Sequence, residues 1–297
     1  MAIESNIASN RNFLLPSIAV ALCGAMWGGF WVPLRWLGDQ GLGGAWVSLI
    51  FFAVAAISPL PWLIHKAAWR GFASQLMNGM LLGLAFTLYT VSLVLTDVIH
   101  AILLFYLTPV WSTLAGIALL GERLTLNRGL AMILGFAGMA FILGFEHGLP
   151  LPRNAGDWLA LLSGMLWAAG TLRSFSRPAG NIFLPVFTFS VGGMLTSGLV
   201  VLIAAILGSA IADVSNLPTV LPWTILFALL VFVPPNFLVL WAAQRIDSGR
   251  VGILLMTEVL AGAVTAALFS GENFGAMELT GTALIVCAAL VEVVGRR

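Results

Sequence analysis

The sequence predicts an all-α polytopic membrane protein, with ten transmembrane helices arranged as two inverted five-helix repeats around a central cavity. Three observations predict it. The chain of 297 residues is 60% hydrophobic and only 8% charged. Its apolar runs are continuous and of the roughly twenty residues that a helix needs to cross a bilayer. The lysines and arginines between those runs alternate in density from one loop to the next.

An ordinary soluble domain carries about 25% charge. Here twelve acids and thirteen bases, with a mean hydropathy of +1.04, cannot clothe a 31.5 kDa body in water. Lipid admits only helices and closed barrels, because every backbone N–H and C=O must be paired internally. A barrel would read as alternating segments of roughly ten residues, and no such alternation is present. The net charge of +1 points to no nucleic acid or polyanionic partner. Cys23 and Cys287 both fall inside apolar runs, at a spacing that suits neither a disulfide framework nor a zinc site. Both read as packing residues, and nothing calls for a metal or cofactor.

The runs fall at 14–37, 42–64, 72–95, 98–120, 127–145, 156–177, 182–207, 219–243, 250–270 and 275–294. The first, from Leu14 to Leu37, is longer than the apolar region of a signal peptide, and no small-x-small cleavage site follows it. It is therefore read as a span. The connections are short. The longest, Glu146 to Gly156, contains Pro150 and Pro152 and divides the chain into a first five-helix repeat (1–148) and a second (149–297).

Basic residues of short loops favour the cytoplasmic side. With the N-terminus inside, that side holds Arg11, Lys66, Arg70, Arg123, Arg128, Arg173, Arg177, Arg245, Arg250, Arg296 and Arg297. The outside holds only Arg35 and Arg153. Missing or inventing one span would scramble this segregation, so ten spans and the orientation support each other.

Self-similarity supports the division. Leu22, Gly24 and Trp27 recur as Leu162, Gly164 and Trp167, at a constant offset of 140. Leu104 and Gly121-Glu122 recur as Leu254 and Gly271-Glu272, at an offset of 150. An odd number of spans per half forces the second half to enter the membrane the other way up. Inverted repeats with a solute site between them are a transporter architecture.

Ten spans in about 300 residues, a five-plus-five repeat and a Gly-Glu after the fourth span of each half resemble the drug/metabolite transporter superfamily, and its EamA-type members in particular. The tryptophan-rich first span and Tyr106-Leu107-Thr108-Pro109 look most like the YddG-type aromatic amino-acid exporters. Asn273 and Phe274 depart from the usual residues after the second Gly-Glu. The resemblance implies a carrier in the bacterial inner membrane, multi-pass with both termini cytoplasmic. It would export amino acids through a central cavity lined mainly by spans 1, 3, 4, 6, 8 and 9.

Polar groups inside hydrocarbon are expensive and therefore informative. Glu258 is the one formal charge placed well inside a span, where it serves either a substrate ammonium or proton coupling, or else only bonds a neighbouring helix. Tyr89 and Tyr106, on adjacent antiparallel spans and away from the extreme ends, offer apolar faces and hydroxyls to an aromatic solute. Interhelical bonding is the plainer alternative. Trp27 and Trp167 sit midway along symmetry-related spans, as cavity lining or as core. Trp36, Trp46, Trp62, Trp69, Trp158 and Trp223 lie near span ends, where tryptophan anchors at the interface. Asn78, Thr108, Asn236 and Gln244 are further polar candidates.

Pro234-Pro235, Pro33 and Pro109 interrupt helix ladders, either as hinges for rocking halves or as tolerated kinks. Gly24/Gly28 and Gly79/Gly83 have the spacing of close helix approach. Glu122 and Glu272 read as loop or cap residues, and Arg35 as an ion-pair partner for Asp39 or Asp97 at an outer gate.

These residues point to a secondary carrier of small zwitterions, with amino acid and membrane lipid as partners and a monomer as the default. No G-x-x-x-x-G-K-[ST] loop occurs to drive primary pumping. No base lies at mid-span to take a buried phosphate. His65, His100 and His147 lie at span ends or in loops, without H-E-x-x-H, so no catalytic residue is assigned and an enzyme is not expected. A channel, whose filter needs polar rings from symmetric subunits, is a weaker alternative. So is a carrier of other metabolites.

Overall fold

The computed structural model describes residues 2–42, 44–96, 98–121, 123–143, 151–207, 216–270 and 275–294. Every apolar run is helical, and there is no strand among the described residues. The first half holds α1 (Ala2–Gly28), α2 (Trp31–Asp39), α3 (Gly44–Ile57), α4 (Phe72–Leu95), α5 (Val98–Phe105), α6 (Thr108–Leu120) and α7 (Leu126–Leu143). The second holds α8 (Ala155–Ser176), α9 (Phe183–Ile206), α10 (Leu217–Phe227), α11 (Val233–Ala242), α12 (Ser248–Leu255), α13 (Thr257–Ser270) and α14 (Ala276–Val294).

Among the described residues, nine helical stretches are long and apolar enough to cross a bilayer. Helix α8 has the length, at 22 residues. It is more polar than the others, with Asp157, Ser163, Thr171 and Ser174 all buried inside the bundle. The midpoint at 148/149 and the repeat residues Glu122, Gly271 and Glu272 lie outside the described residues. Gly121 is described, and its φ of +67° ends α6 in the left-handed turn that glycine favours.

Four runs are broken rods, and proline explains three of them. A proline cannot donate to the carbonyl four residues back, and its ring crowds that carbonyl. For Pro33 the carbonyl is that of Gly29, at the gap between α1 and α2, which accepts from Val32 N–H at 3.2 Å instead. For Pro109 it is that of Phe105, between α5 and α6, which takes the Thr108 hydroxyl at 2.5 Å. For Pro234 and Pro235 the carbonyls belong to Leu230 and Val231, and the chain absorbs the misfit as a wide π-helical turn over Ala228–Phe232. The fourth break, at Met256 between α12 and α13, has no proline. There the Thr257 hydroxyl lies 2.8 Å from the Leu254 carbonyl and 2.8 Å from that of Ala21 on α1.

Small residues set the packing. Gly24 and Gly28 bring α1 against the backbone of α13 at Thr257 and Glu258, where an added methyl would overlap main-chain atoms. Gly79 and Gly83 do the same for α4 against Thr188, Phe189 and Gly192 of α9. Gly138 of α7 meets Gly281 of α14 backbone to backbone. With little hydrophobic drive between helices in lipid, such close approach is how they gain contact. Further pairings are α4 with α8, α3 with α9, α1 with α11, and α6 with both α8 and α12. Between them lies an aromatic core in which the Phe52 ring packs edge-on to Phe86, Phe189 and Phe232 at 5.1–5.5 Å.

Trp36, Trp62, Trp158 and Trp223 are exposed at helix ends, as interface anchoring requires. Cys23 is buried, whereas Cys287 lies on the outer face of α14. The latter therefore packs against no core, contrary to the sequence expectation, because its side of α14 points away from α7.

Candidate functional site

Three of the four helix breaks border a cavity of about 560 Å³, within the roughly 300–1,000 Å³ of small-molecule sites. Its floor is formed at mid-bundle by Trp27, Trp167, Tyr106 and Glu258. Its walls are Phe86 and Tyr89 of α4 with Ile102 and Phe105 of α5. It runs toward one end of the bundle, where exposed Arg35 and half-buried Glu278 line it. Arg35 is the one cation among the lining residues.

Each floor residue is placed by a local irregularity. Tyr106 occupies the gap between α5 and α6, and Glu258 lies in the first turn of α13 just after the Met256 break. Each helix interruption frees backbone groups that can face a cavity in place of lipid. The freed Leu255 carbonyl accepts the Tyr106 hydroxyl at 3.1 Å. The same hydroxyl donates to Glu258 Oε2 at 2.5 Å. One proton therefore has two acceptors within reach, and a carboxyl group of a span stands at the cavity floor with one oxygen engaged by a phenol.

The two tryptophans meet there. Their rings contact edge to face at 5.8 Å, with Phe86 packed on Trp27 at 5.9 Å. The indole nitrogens of both are buried and have no hydrogen-bond partner among the described residues. Tyr89 lies against Phe105 with ring centroids 4.4 Å apart. Chemically, the site offers an apolar, π-rich slot with one carboxyl group at its base.

Five of the eight sequence-selected binding residues thus converge: Trp27, Tyr89, Tyr106, Trp167 and Glu258. The other three lie elsewhere. Asn78 is buried between α4 and α8, donating to Ser174 Oγ at 2.6 Å. Thr108 bridges its helix break. Asn236 is fully buried just past the π turn, with neither amide atom partnered among the described residues. Gln244 accepts from Ala179 N–H at 2.7 Å and joins two loops instead. The lining also differs from the expected set of spans: α7 and α14 contribute Ile142, Leu143 and Glu278, and no described residue of α10 or α11 does. Asp97, one expected partner of Arg35, lies outside the described residues.

The sequence profile of the EamA-like transporter family matches residues 14–144 and 154–293. The chain belongs to that family. This EamA-like transporter also superposes on a crystal structure of another protein over 95% of its own length and 97% of that chain. The TM-score is 0.72 at 18% identity, which shows a shared fold. Among the curated proteins, none matches the sequence.

At the opposite end of this EamA-like transporter lies a cluster that sequence reasoning missed. Arg128, in the first turn of α7, pairs with Asp247 and lies 3.4 Å from Glu292 Oε1. Asp247 also caps α12 by accepting from Arg250 N–H at 3.0 Å. Arg250 Nε is 3.5 Å from Glu292 Oε1, and its terminal nitrogen donates to the Glu292 carbonyl at 2.7 Å. All four side chains are buried. Arg128 and Arg250 were expected as loop bases. The signal that could have revealed them was Glu292 inside the last apolar run and Asp247 three residues before Arg250.

Proposed function

We propose that this EamA-like transporter is a secondary carrier that exports amino acids, aromatic or other neutral ones, across the bacterial inner membrane by alternating access. The observation that carries the reading is a carboxyl group, Glu258, at the floor of an aromatic cavity that reaches only one end of the bundle. A substrate ammonium pairs with Glu258, and its ring stacks among Phe86, Tyr89 and Phe105. A phosphorylated solute fits poorly, because it would want cations at depth and Arg35 is at the mouth. A cavity with one mouth also suits a carrier better than a channel.

The proposed architecture is ten spans in two inverted repeats, 1–148 and 149–297. Two matches of one family profile support it, as does the reciprocity of the packing. Exchanging each span with the one five later turns the pairing of α4 with α8 into that of α11 with α1, and the pairing of α1 with α13 into that of α8 with α6; all four occur. Both termini are assigned to the cytoplasm from the segregation of bases, which makes the Arg35 end external. Export as the direction follows the resemblance to YddG-type carriers, and a monomer suffices because the cavity lies within one chain.

The test is counterflow of radiolabelled tryptophan, phenylalanine, threonine and a nucleotide sugar into proteoliposomes, with wild type and Glu258→Gln. Uptake of the amino acids without the nucleotide sugar, abolished or weakened in the variant, is the expected result. Movement of the nucleotide sugar alone would leave the fold intact and overturn the substrate.

A further inference from the structure

Between the cavity floor and the buried ion cluster, the bundle holds polar side chains that the cavity does not use. Helix α6 carries Thr108, Ser112 and Gly116 at four-residue spacing, all buried. Residues four apart share one face of a helix, so this face forms a small, polar stripe leading from Tyr106 away from the cavity mouth. Among the described residues the Ser112 hydroxyl has no partner, and neither does that of Ser248 at the start of α12. The Thr113 hydroxyl lies 3.9 Å from the Met132 sulfur. Buried hydroxyls without partners forfeit the bonds they make in water, and native proteins rarely leave them so without cause.

The stripe ends at the cluster, and the contact there is tight. A Cβ placed on Gly249 of α12 would lie 3.2 Å from Thr113 Oγ1 and 3.3 Å from the Arg128 guanidinium. Arg128, Asp247, Arg250 and Glu292 tie the starts of α7 and α12 to the last turn of α14. Among the described residues the cluster is formally neutral, two cations against two anions. Burying such charges offsets most of their mutual attraction by desolvation, so a hydrated, separated cluster lies close in free energy to the closed one. A plug that holds the path shut yet opens readily needs that balance.

We infer that the ion cluster is the gate at the end opposite the cavity mouth, and that the α6 face with Ser248 is the other half of the solute path, dry and closed in this conformation. When the cluster separates, water and the zwitterionic solute supply the partners that Ser112 and Ser248 lack. This rests on the carrier reading, which requires access to alternate between the two ends.

Thiol labelling tests the gate without any transport. With Cys23 and Cys287 replaced by alanine, Ser112→Cys is exposed to an impermeant maleimide added at the Arg128 end of oriented vesicles. Asp247→Asn is expected to shift the population toward the open gate and speed that labelling about tenfold. Leu93 of α4 lines the cavity, and Leu93→Cys should be labelled more slowly from the other end. Ser112→Cys labelling unchanged by Asp247→Asn, or faster labelling at both ends together, overturns the gate.

A second variant guards against misfolding: Thr113→Cys with Gly249→Cys, oxidised to a disulfide across α6 and α12. Counterflow should fall by about tenfold or more and return with reductant, while Leu93→Cys stays reactive from outside. A cross-linked protein that still carries solute at the reduced rate refutes the gate. If wild type carries no amino acid, the carrier reading fails, and the labelling arm still decides whether the cluster closes that end.

Discussion

The two ends of the bundle hold their charged groups in opposite ways. Toward the Arg35 end, the cavity has aromatic walls and a single carboxyl group at its floor, partnered by the phenol of Tyr106. Toward the Arg128 end, two buried arginines face two buried acids across the starts of α7 and α12 and the last turn of α14. At one end, then, a charge is held by a neutral neighbour and can be offered to a ligand. At the other, among the described residues, charge is paired with opposite charge within the protein. The lesson is that a transporter interior can carry both binding charge and sealing charge, and that partner identity separates them.

The strongest way to break this comparison is to remove a sealing charge. Arg250→Met deletes two contacts to Glu292 and leaves a buried acid with one fewer cation. Removing one member of a buried ion pair costs about 3–5 kcal/mol, because the remaining charge stays desolvated. Thermal unfolding in detergent should show the largest destabilisation of any single substitution discussed here. A variant as stable as wild type would mean that the cluster is hydrated at rest and seals nothing.

Removing the binding charge should act on function and spare the fold. Glu258→Gln keeps the shape and an acceptor for Tyr106 but deletes the charge that an ammonium needs. A hydrogen bond to a charged group contributes about 1.5–3 kcal/mol, so the apparent affinity for an amino acid should weaken roughly 10- to 100-fold. Concentration-dependent counterflow measures it, with unfolding temperature as the control. An unaltered affinity, with stability lost instead, would exchange the roles given to the two ends.

How much of this was legible depended on whether a residue announces its own geometry. Proline does, since Pro33, Pro109 and the Pro234-Pro235 pair each remove a donor and lie beside three of the four breaks. Glycine at i, i+4 does too, and Gly24/Gly28 and Gly79/Gly83 are where helices touch. A lone carboxyl in an apolar run also stands out, which is how Glu258 was found. The Met256 break could not be read, because it rests on a Thr257 hydroxyl reaching a carbonyl of another helix. The ion cluster escaped for the same reason: Arg128, Asp247 and Glu292 are distant in sequence, and bases near span ends ordinarily face water. Asn78 and Asn236 show the converse. Polarity marked them as interior, but it could not say that one would find Ser174 and the other would sit away from the cavity.

The smallest expected effect is also the finest probe of the cavity floor. The Tyr106 hydroxyl has one proton and two acceptors, Glu258 Oε2 at 2.5 Å and the Leu255 carbonyl at 3.1 Å. When an ammonium arrives at Glu258, the proton can turn to Leu255, so the hydroxyl remains satisfied as the carboxylate changes partner. Tyr106→Phe removes this exchange and leaves the Leu255 carbonyl without a donor in the loaded state. A neutral hydrogen bond contributes about 0.5–1.5 kcal/mol net, so the apparent affinity should weaken by about tenfold or less, with the maximal rate of counterflow held. A loss as large as that of Glu258→Gln would make the phenol, and not the carboxylate, the primary contact. The contrast between a charged floor and a neutralised gate would then have to be redrawn around Tyr106.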